Sequence, residues 1–228
     1  MKNQPTSWHI NWLEQVPSGW DTKLIKRDFE VKLGKMLQSQ PKSENDTEEY
    51  YIRSANVNWG GVDLSDIKKM WFSPLDKNSI RLESGDLLVC EGGDVGRSCI
   101  WNNEISDCYI QNAINRVRPL KNASTRFLYY WMYLLKHQGF IDAFVSRITI
   151  AHLTAEKLER IPFISPPPEE QFIIAHYLDE VCANLEKIIQ IKQLNREKTI
   201  LLEYKKSLIH ECVTGKRRIT ETDLRQVA

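Results

Sequence analysis

The chain has 228 residues, of which 42% are hydrophobic and 27% charged. At about 100–200 residues per domain, this allows one globular domain with an added element, or two small ones, and excludes collagen-like, mucin-like and wholly disordered chains. Thirty-one Lys and Arg against 30 Asp and Glu leave a net charge of +1, so a nucleic-acid-binding face has to gather its basic groups locally. No apolar run approaches the roughly 18 residues that cross a bilayer. Residues 1–5 carry no apolar leader region, and a cytoplasmic protein is expected. Five cysteines, Cys90, Cys99, Cys108, Cys182 and Cys212, form no C-x-x-C pair. Their odd number and wide spacing argue for reduced thiols rather than disulfides or a zinc site.

In chain order, the first part reads as mixed α/β. The polar, glycine-free stretch 38–49 predicts a mobile surface loop. Short strands are predicted at 50–53 and 80–82, and two more at 86–90 and 98–101, with a glycine-rich turn, Glu91 to Arg97, between the last two. Residues 126–136 predict a buried helix ended by Gly139. Nine of the ten glycines lie at or before Gly139, so the turns belong to this part. Pro166-Pro167-Pro168 before Glu169-Glu170-Gln171 then marks a helix start. From Glu169 to Val213 there is no glycine or proline, which predicts one helix of about 65 Å. Ile174, Leu178, Val181, Leu185 and Ile188 form a coiled-coil seam along it, continued in a shifted register by Leu194, Leu201 and Leu208. A lone helix cannot bury such a seam, so these eight residues are expected at a subunit interface. The alternative is a helical hairpin with Asn195 in the turn. The expected organisation is a globular α/β domain over 1–165, a long coiled-coil helix over 166–215, and a tail over 216–228.

Four motifs suggest chemistry that the sequence does not support. Gly92-Gly93-Asp94-Val95-Gly96 is followed by a strand-like segment, whereas a phosphate-cradling loop opens a helix. Ser165-Pro166-Pro167-Pro168 resembles the catalytic motif of amino-group DNA methyltransferases, but Pro168 stands where an aromatic should stack on the flipped base. Glu30-Val31-Lys32 with Asp21 mimics a nuclease metal site, a triplet that chance supplies in so charged a chain. The five histidines, His9, His137, His152, His176 and His210, are scattered. No catalytic residue, metal or cofactor is therefore expected on this chain.

A larger constellation is more specific. It comprises Trp12-Leu13-Glu14-Gln15-Val16-Pro17-Ser18-Gly19-Trp20, then Tyr51 to Val57, Gly85 to Arg97, and Tyr109 to Pro119. It continues with Pro166-Pro167-Pro168-Glu169-Glu170-Gln171 and closes on Tyr204-Lys205-Lys206-Ser207-Leu208-Ile209 and Val213-Thr214-Gly215-Lys216. This resembles the DNA-specificity subunit of type I restriction–modification systems over nearly the whole chain. Such subunits carry two target-recognition domains and two conserved helical regions. One of each is visible here, which suggests a half-subunit or a piece of a longer one.

The resemblance implies double-stranded DNA as ligand and assembly with two partners. A modification subunit would methylate adenine with S-adenosylmethionine, and a restriction subunit would translocate and cut. This chain would supply the address only. Two copies paired antiparallel through the long helix would read an interrupted palindrome. Arg53, Asn56, Arg97, Gln111, Asn112, Asn115 and Arg116 are the side-chain types that read base edges. Lys35, Lys68, Lys69, Arg126 and Arg147 are the candidates for phosphates. The competing expectation is that Gln111 and Asn112 cap turns while Arg116 and Arg118 pair with carboxylates. The alternative functions are a coiled-coil adaptor with no DNA role and a stand-alone methyltransferase or nuclease.

Overall fold

The computed structural model describes residues 16–145, 152–191 and 195–227. Residues 12–15 of the first motif, Arg147 and Leu194 lie outside the described residues. In chain order the strands are β1 (Asp21–Leu24), β2 (Phe29–Leu33), β3 (Thr47–Ile52), β4 (Val57–Asn58), β5 (Gly61–Val62) and β6 (Lys68–Phe72). Helix α1 (Pro74–Ile80) precedes β7 (Leu87–Cys90), β8 (Ser98–Ile100), β9 (Cys108–Ile110) and β10 (Ile114–Pro119). Then come α2 (Thr125–His137), α3 (Phe140–Val145), α4 (Ala155–Glu159), β11 (Pro162–Ser165), α5 (Pro168–Ile191), α6 (Asn195–Val213) and α7 (Glu221–Val227). The fold is mixed α/β, as expected. It divides into two compact units, one spanning Leu24–Ile161 and the other combining the chain up to Lys23 with the chain from Pro162.

The first unit is built on two sheets. One is antiparallel in the order β2-β10-β7-β8, and the other has the order β6-β3-β9 with β3 and β9 parallel. Strand alternation explains why β7 is apolar throughout. Leu88 and Cys90 join a core with Ile52, Phe72, Trp101, Tyr109 and Ile110. Leu87 and Val89, also buried, point to the opposite face, and α2 packs against β7, β8 and β10. That helix starts where the Ser124 hydroxyl accepts the Phe127 N–H and ends just before Gln138 and Gly139, whose φ is +72°. The thiols of Cys99 and Cys108 are pushed up to about 12 by burial, and all five cysteines are buried and free.

Two expectations fail in this unit. Residues 80–82 are not a strand, because Ile80 ends α1 and Arg81 makes only an isolated bridge to Tyr109. The stretch 38–49 is pinned rather than mobile. Asp46 accepts from the Gln38 amide, the Lys42 N–H and the Ser43 hydroxyl at 2.8–2.9 Å, and β3 has begun by Thr47. The Lys42 N–H first, then Ser43, hold the Asp46 carboxyl below its usual range.

The second unit shows why its motifs have their composition. Pro168 is the first residue of α5, where a missing N–H costs nothing. The buried Gln171 amide donates to the Pro166 carbonyl at 2.9 Å and to Ser165 Oγ at 3.3 Å. Trp20 Nε1 donates to Glu170 Oε2 at 2.9 Å. At the far end, the Thr214 hydroxyl donates to the His210 carbonyl and caps α6. Gly215 follows with φ +73°, and a Cβ there would meet Pro17 Cγ at 2.2 Å, so only glycine fits. The tail is ordered as α7. Arg217 bonds Asp223 at 2.7 Å and lies over the Tyr177 ring of α5.

The single long helix is not what forms. Lys205 of α6 is ion-paired with Glu186 of α5, 19 residues away, whereas a continuous helix would separate them by about 28 Å. The chain therefore folds back as the helical hairpin, with α6 starting at Asn195. Its seam is largely spent internally. Ile174, Leu178, Leu185 and Leu208 are buried, Val181 and Leu201 are half-buried, and Ile188 is exposed. The four buried residues thus pack the chain's own core rather than lying open for a second copy. Leu178→Ala should lower the stability of this unit by about 2–5 kcal/mol, read as a lower urea midpoint of helix loss. An unchanged midpoint would show that Leu178 does not pack that core.

Candidate nucleic-acid interface

Several turns of the Leu24–Ile161 unit meet at one end of its sheets. The parallel pairing of β3 and β9 brings Ile52 opposite Ile110, so the turns after both strands emerge side by side. The Gln111 N–H donates to the Ile52 carbonyl at 3.0 Å. Cys90 pairs with Ile114, which places the turn after β7 beside the 111–113 turn, and the Glu91 N–H donates to Ala113 at 2.9 Å. Ser54 ties three turns together. Its hydroxyl lies within hydrogen-bond reach of the Gly92 and Ala113 carbonyls, and its own carbonyl accepts from Arg97 at 2.9 Å. The segment after β2 joins them. Gly34 N–H donates to Ile114, Lys35 N–H to Ile110, and Asn112 N–H to Lys35. Three of the quoted sequence motifs thus converge on one edge.

The predicted base readers separate into two groups. Asn56, Asn115 and Arg116 are buried and bonded within the unit. Asn56 is buried, accepts the Arg53 N–H at 3.1 Å and donates to the Asp63 carbonyl at 2.8 Å. Asn115 lies within β10 and donates to the Leu153 carbonyl at 2.9 Å. Arg116 is buried and pairs with Glu30 Oε2 at 2.8 Å while donating to the Arg81 carbonyl. Arg118 likewise grips Asp86 and Glu83. The Glu30 carboxylate is therefore engaged by Arg116 and by Lys32 at 3.6 Å. Among the described residues no group of three or more His, Cys, Asp or Glu could hold a metal ion.

The second group stays at the edge. Gln111 and Asn112 are half-buried in their turn, and their side-chain amides make no hydrogen bond to the described residues. Arg53 and Lys68 share the Asp66 carboxylate, which Lys68 first and then Arg53 hold below its usual range. Exposed pairs of this kind are weak, so a phosphate can take over either cation. Arg97 donates to Ser54 and approaches Asp94 at 3.8 Å. Lys69 is exposed and lies 4.4 Å from the Tyr50 ring centre. Arg126 is exposed on α2 but lies away from this edge, since its neighbour Thr125 bonds the Gly85 carbonyl at the opposite end of β7. Lys35 is less available than predicted, because its ammonium is held by Asp76 near the Phe72 ring.

Six buried side-chain N or O atoms lack a hydrogen-bond partner among the described residues, and five belong to Arg53, Glu91, Arg97, Asn115 and Arg116. Such atoms are rare in folded proteins; those of Arg53, Glu91 and Arg97 lie in the turns of this edge, and those of Asn115 and Arg116 lie within β10. Burial raises the Glu91 carboxyl above its usual range. Sequence reasoning missed Met36 and Leu37, two large apolar residues exposed beside this edge. Their one signal was an apolar pair between Lys35 and a polar run.

Comparisons with known proteins place this arrangement. Over 89% of the chain, the fold superposes with a TM-score of 0.56 on the crystal structure of the HsdS subunit from Thermoanaerobacter tengcongensis, at 19% identity. It matches with a TM-score of 0.57 and 16% identity, over the same share, a structure described as the structural basis underlying complex assembly and conformational transition of the type I R-M system. The fold is thus shared with part of those two chains, of which this chain spans about half, 47% and 48%. The model of the type I restriction modification DNA specificity domain matches residues 17–196, and the chain belongs to that family. No curated protein matches it.

Substitution separates the two groups. Arg116→Ala removes a buried guanidinium bonded to the Arg81 carbonyl and to half-exposed Glu30, and should cost about 1–3 kcal/mol of stability. Gln111→Ala should change stability by no more than about 0.5 kcal/mol. Urea unfolding of both variants checks this, and an undisturbed Arg116→Ala protein would return that arginine to the list of readers.

Proposed function

We propose that this chain is the DNA-addressing component of a type I restriction–modification complex. The match of the specificity-domain family over residues 17–196 carries the reading. The edge formed by the 53–56, 91–97 and 111–113 turns presents double-stranded DNA with amides for adenine N6 and N7 and with cations for phosphates. Gln111 and Asn112 are the base readers, and Arg53, Lys68 and Lys69 position the backbone. A modification subunit supplies adenine methylation with S-adenosylmethionine, and a restriction subunit supplies translocation and cleavage. The Gly92-Gly93-Asp94-Val95-Gly96 turn lies between β7 and β8, so its residues do not offer the helix start that cradles a cofactor phosphate. Ser165 of the Ser-Pro-Pro-Pro segment is engaged with Gln171 and Lys23 at the start of α5. Both observations support an address without catalysis.

One recognition unit reads one half-site, and a bipartite target needs a second. A second copy of the chain supplies it in this reading. The exposed Phe172, Ile173, Ile188, Ile200, Leu202 and Tyr204 of the helical hairpin offer apolar surface for assembly. A two-fold pair makes the half-sites identical and inverted. Expressing this chain with the modification subunit of its own system and mapping methylated adenines tests both points. The expected result is methylation at an interrupted palindrome, with none when either protein is omitted. Methylation by this chain alone would contradict the non-catalytic reading, and an asymmetric target would contradict the pairing.

A further inference from the structure

The two exposed apolar residues beside the candidate edge lie on a restrained segment. Met36 and Leu37 are 74% and 60% exposed, although the backbone on both sides of them is fixed. Before them, Lys35 N–H donates to Ile110 at 2.9 Å, and the Lys35 carbonyl accepts the Asn112 N–H at 2.9 Å. After them, the Gln38 carbonyl accepts the Trp71 N–H at 3.0 Å, and the buried Gln38 amide bonds Gln40 and Asp46. A pinned backbone thus holds two large apolar side chains in water, where burial would be favoured. Lys32 pairs with Glu30 and Lys35 with Asp76, so what this segment offers a ligand is the apolar pair itself. A stable protein interface buries about 1,000 Å² or more, far beyond what two side chains supply, whereas a base edge needs only one contact of this size.

We propose that Met36 and Leu37 are specificity-determining residues that contact the 5-methyl group of thymine in the major groove. The inference rests on the DNA-addressing function proposed above and deepens it. The segment is bonded directly to Asn112, so the apolar pair and the free amides of Gln111 and Asn112 move as one body. Adenine offers N6 and N7 to such amides in the groove where its thymine partner displays a methyl group. An amide reader and an apolar reader side by side therefore fit an adenine–thymine pair or two neighbouring ones.

The test uses the full chain to select duplexes from a random-sequence pool. Each thymine of the selected duplex is then replaced by uracil, which removes only the methyl group. Uracil at one or two positions should weaken binding by the wild-type chain about fourfold per methyl. The Met36→Ala/Leu37→Ala chain should bind the thymine duplex more weakly and bind the thymine and uracil duplexes equally well. Its thermal unfolding should match the wild type, since both side chains are in water. Wild-type binding indifferent to uracil at every position overturns the proposal, as does a double variant that stays uracil-sensitive. A double variant that keeps its DNA preference but no longer binds the modification subunit assigns the pair to a protein partner and also overturns it. A wild-type chain that selects no sequence overturns the DNA-addressing function itself, and this inference with it.

Discussion

Three backbone hydrogen bonds around Gly34 and Lys35 hold the Leu24–Ile161 unit in its working form. β2 belongs to the four-stranded sheet and β9 to the three-stranded one. As the chain leaves β2, Gly34 and Lys35 bond Ile114 and Ile110, and Asn112 bonds back to Lys35. The two sheets are thereby stitched at the turn that carries Gln111 and Asn112. The approach is so close that a Cβ on Gly34 would lie 2.3 Å from the Gln111 carbonyl oxygen. Glycine is required there for space alone, since its φ is not positive. A stitch made of main chain lets the side chains of these turns vary while the turns keep their place.

The helical unit follows a comparable logic at its two ends. Its start is fixed by Trp20, Glu170 and Gln171, and its end by Thr214 and Gly215 against Pro17. Residues distant in sequence therefore meet in pairs, which is why the Pro-Pro-x-Glu-Gln and Val-Thr-Gly-Lys segments occur together with the aromatic-rich stretch near Trp20. Most of the leucine seam is buried inside the hairpin, and most of the apolar residues left exposed lie elsewhere on it. Those include Phe172, Ile173 and Ile200, none of which lies on the seam.

Legibility in the sequence tracked the range of the interactions. β7, β8 and α2 were readable because apolar runs and a glycine stop after the helix are local signals. The turn with Gln111 and Asn112 was readable as a motif. Its neighbours Asn115 and Arg116 were not separable from it, because their partners Leu153 and Glu30 lie 38 and 86 residues away. The pinned 38–46 stretch depends on one buried aspartate that looks like any polar residue in sequence. The fold-back between α5 and α6 carries no glycine or proline, and helical periodicity by itself does not distinguish a hairpin from a rod.

The central claim is that the candidate edge is a rigid main-chain construction and not a set of mobile loops. Amide hydrogen exchange of the free chain, resolved at Lys35 and Asn112, tests it most directly. Both amides should exchange as slowly as Val117 in the centre of β10, opening only when the whole unit unfolds. Exchange of Lys35 and Asn112 at the rate of an unstructured peptide, with Val117 still protected, would contradict it.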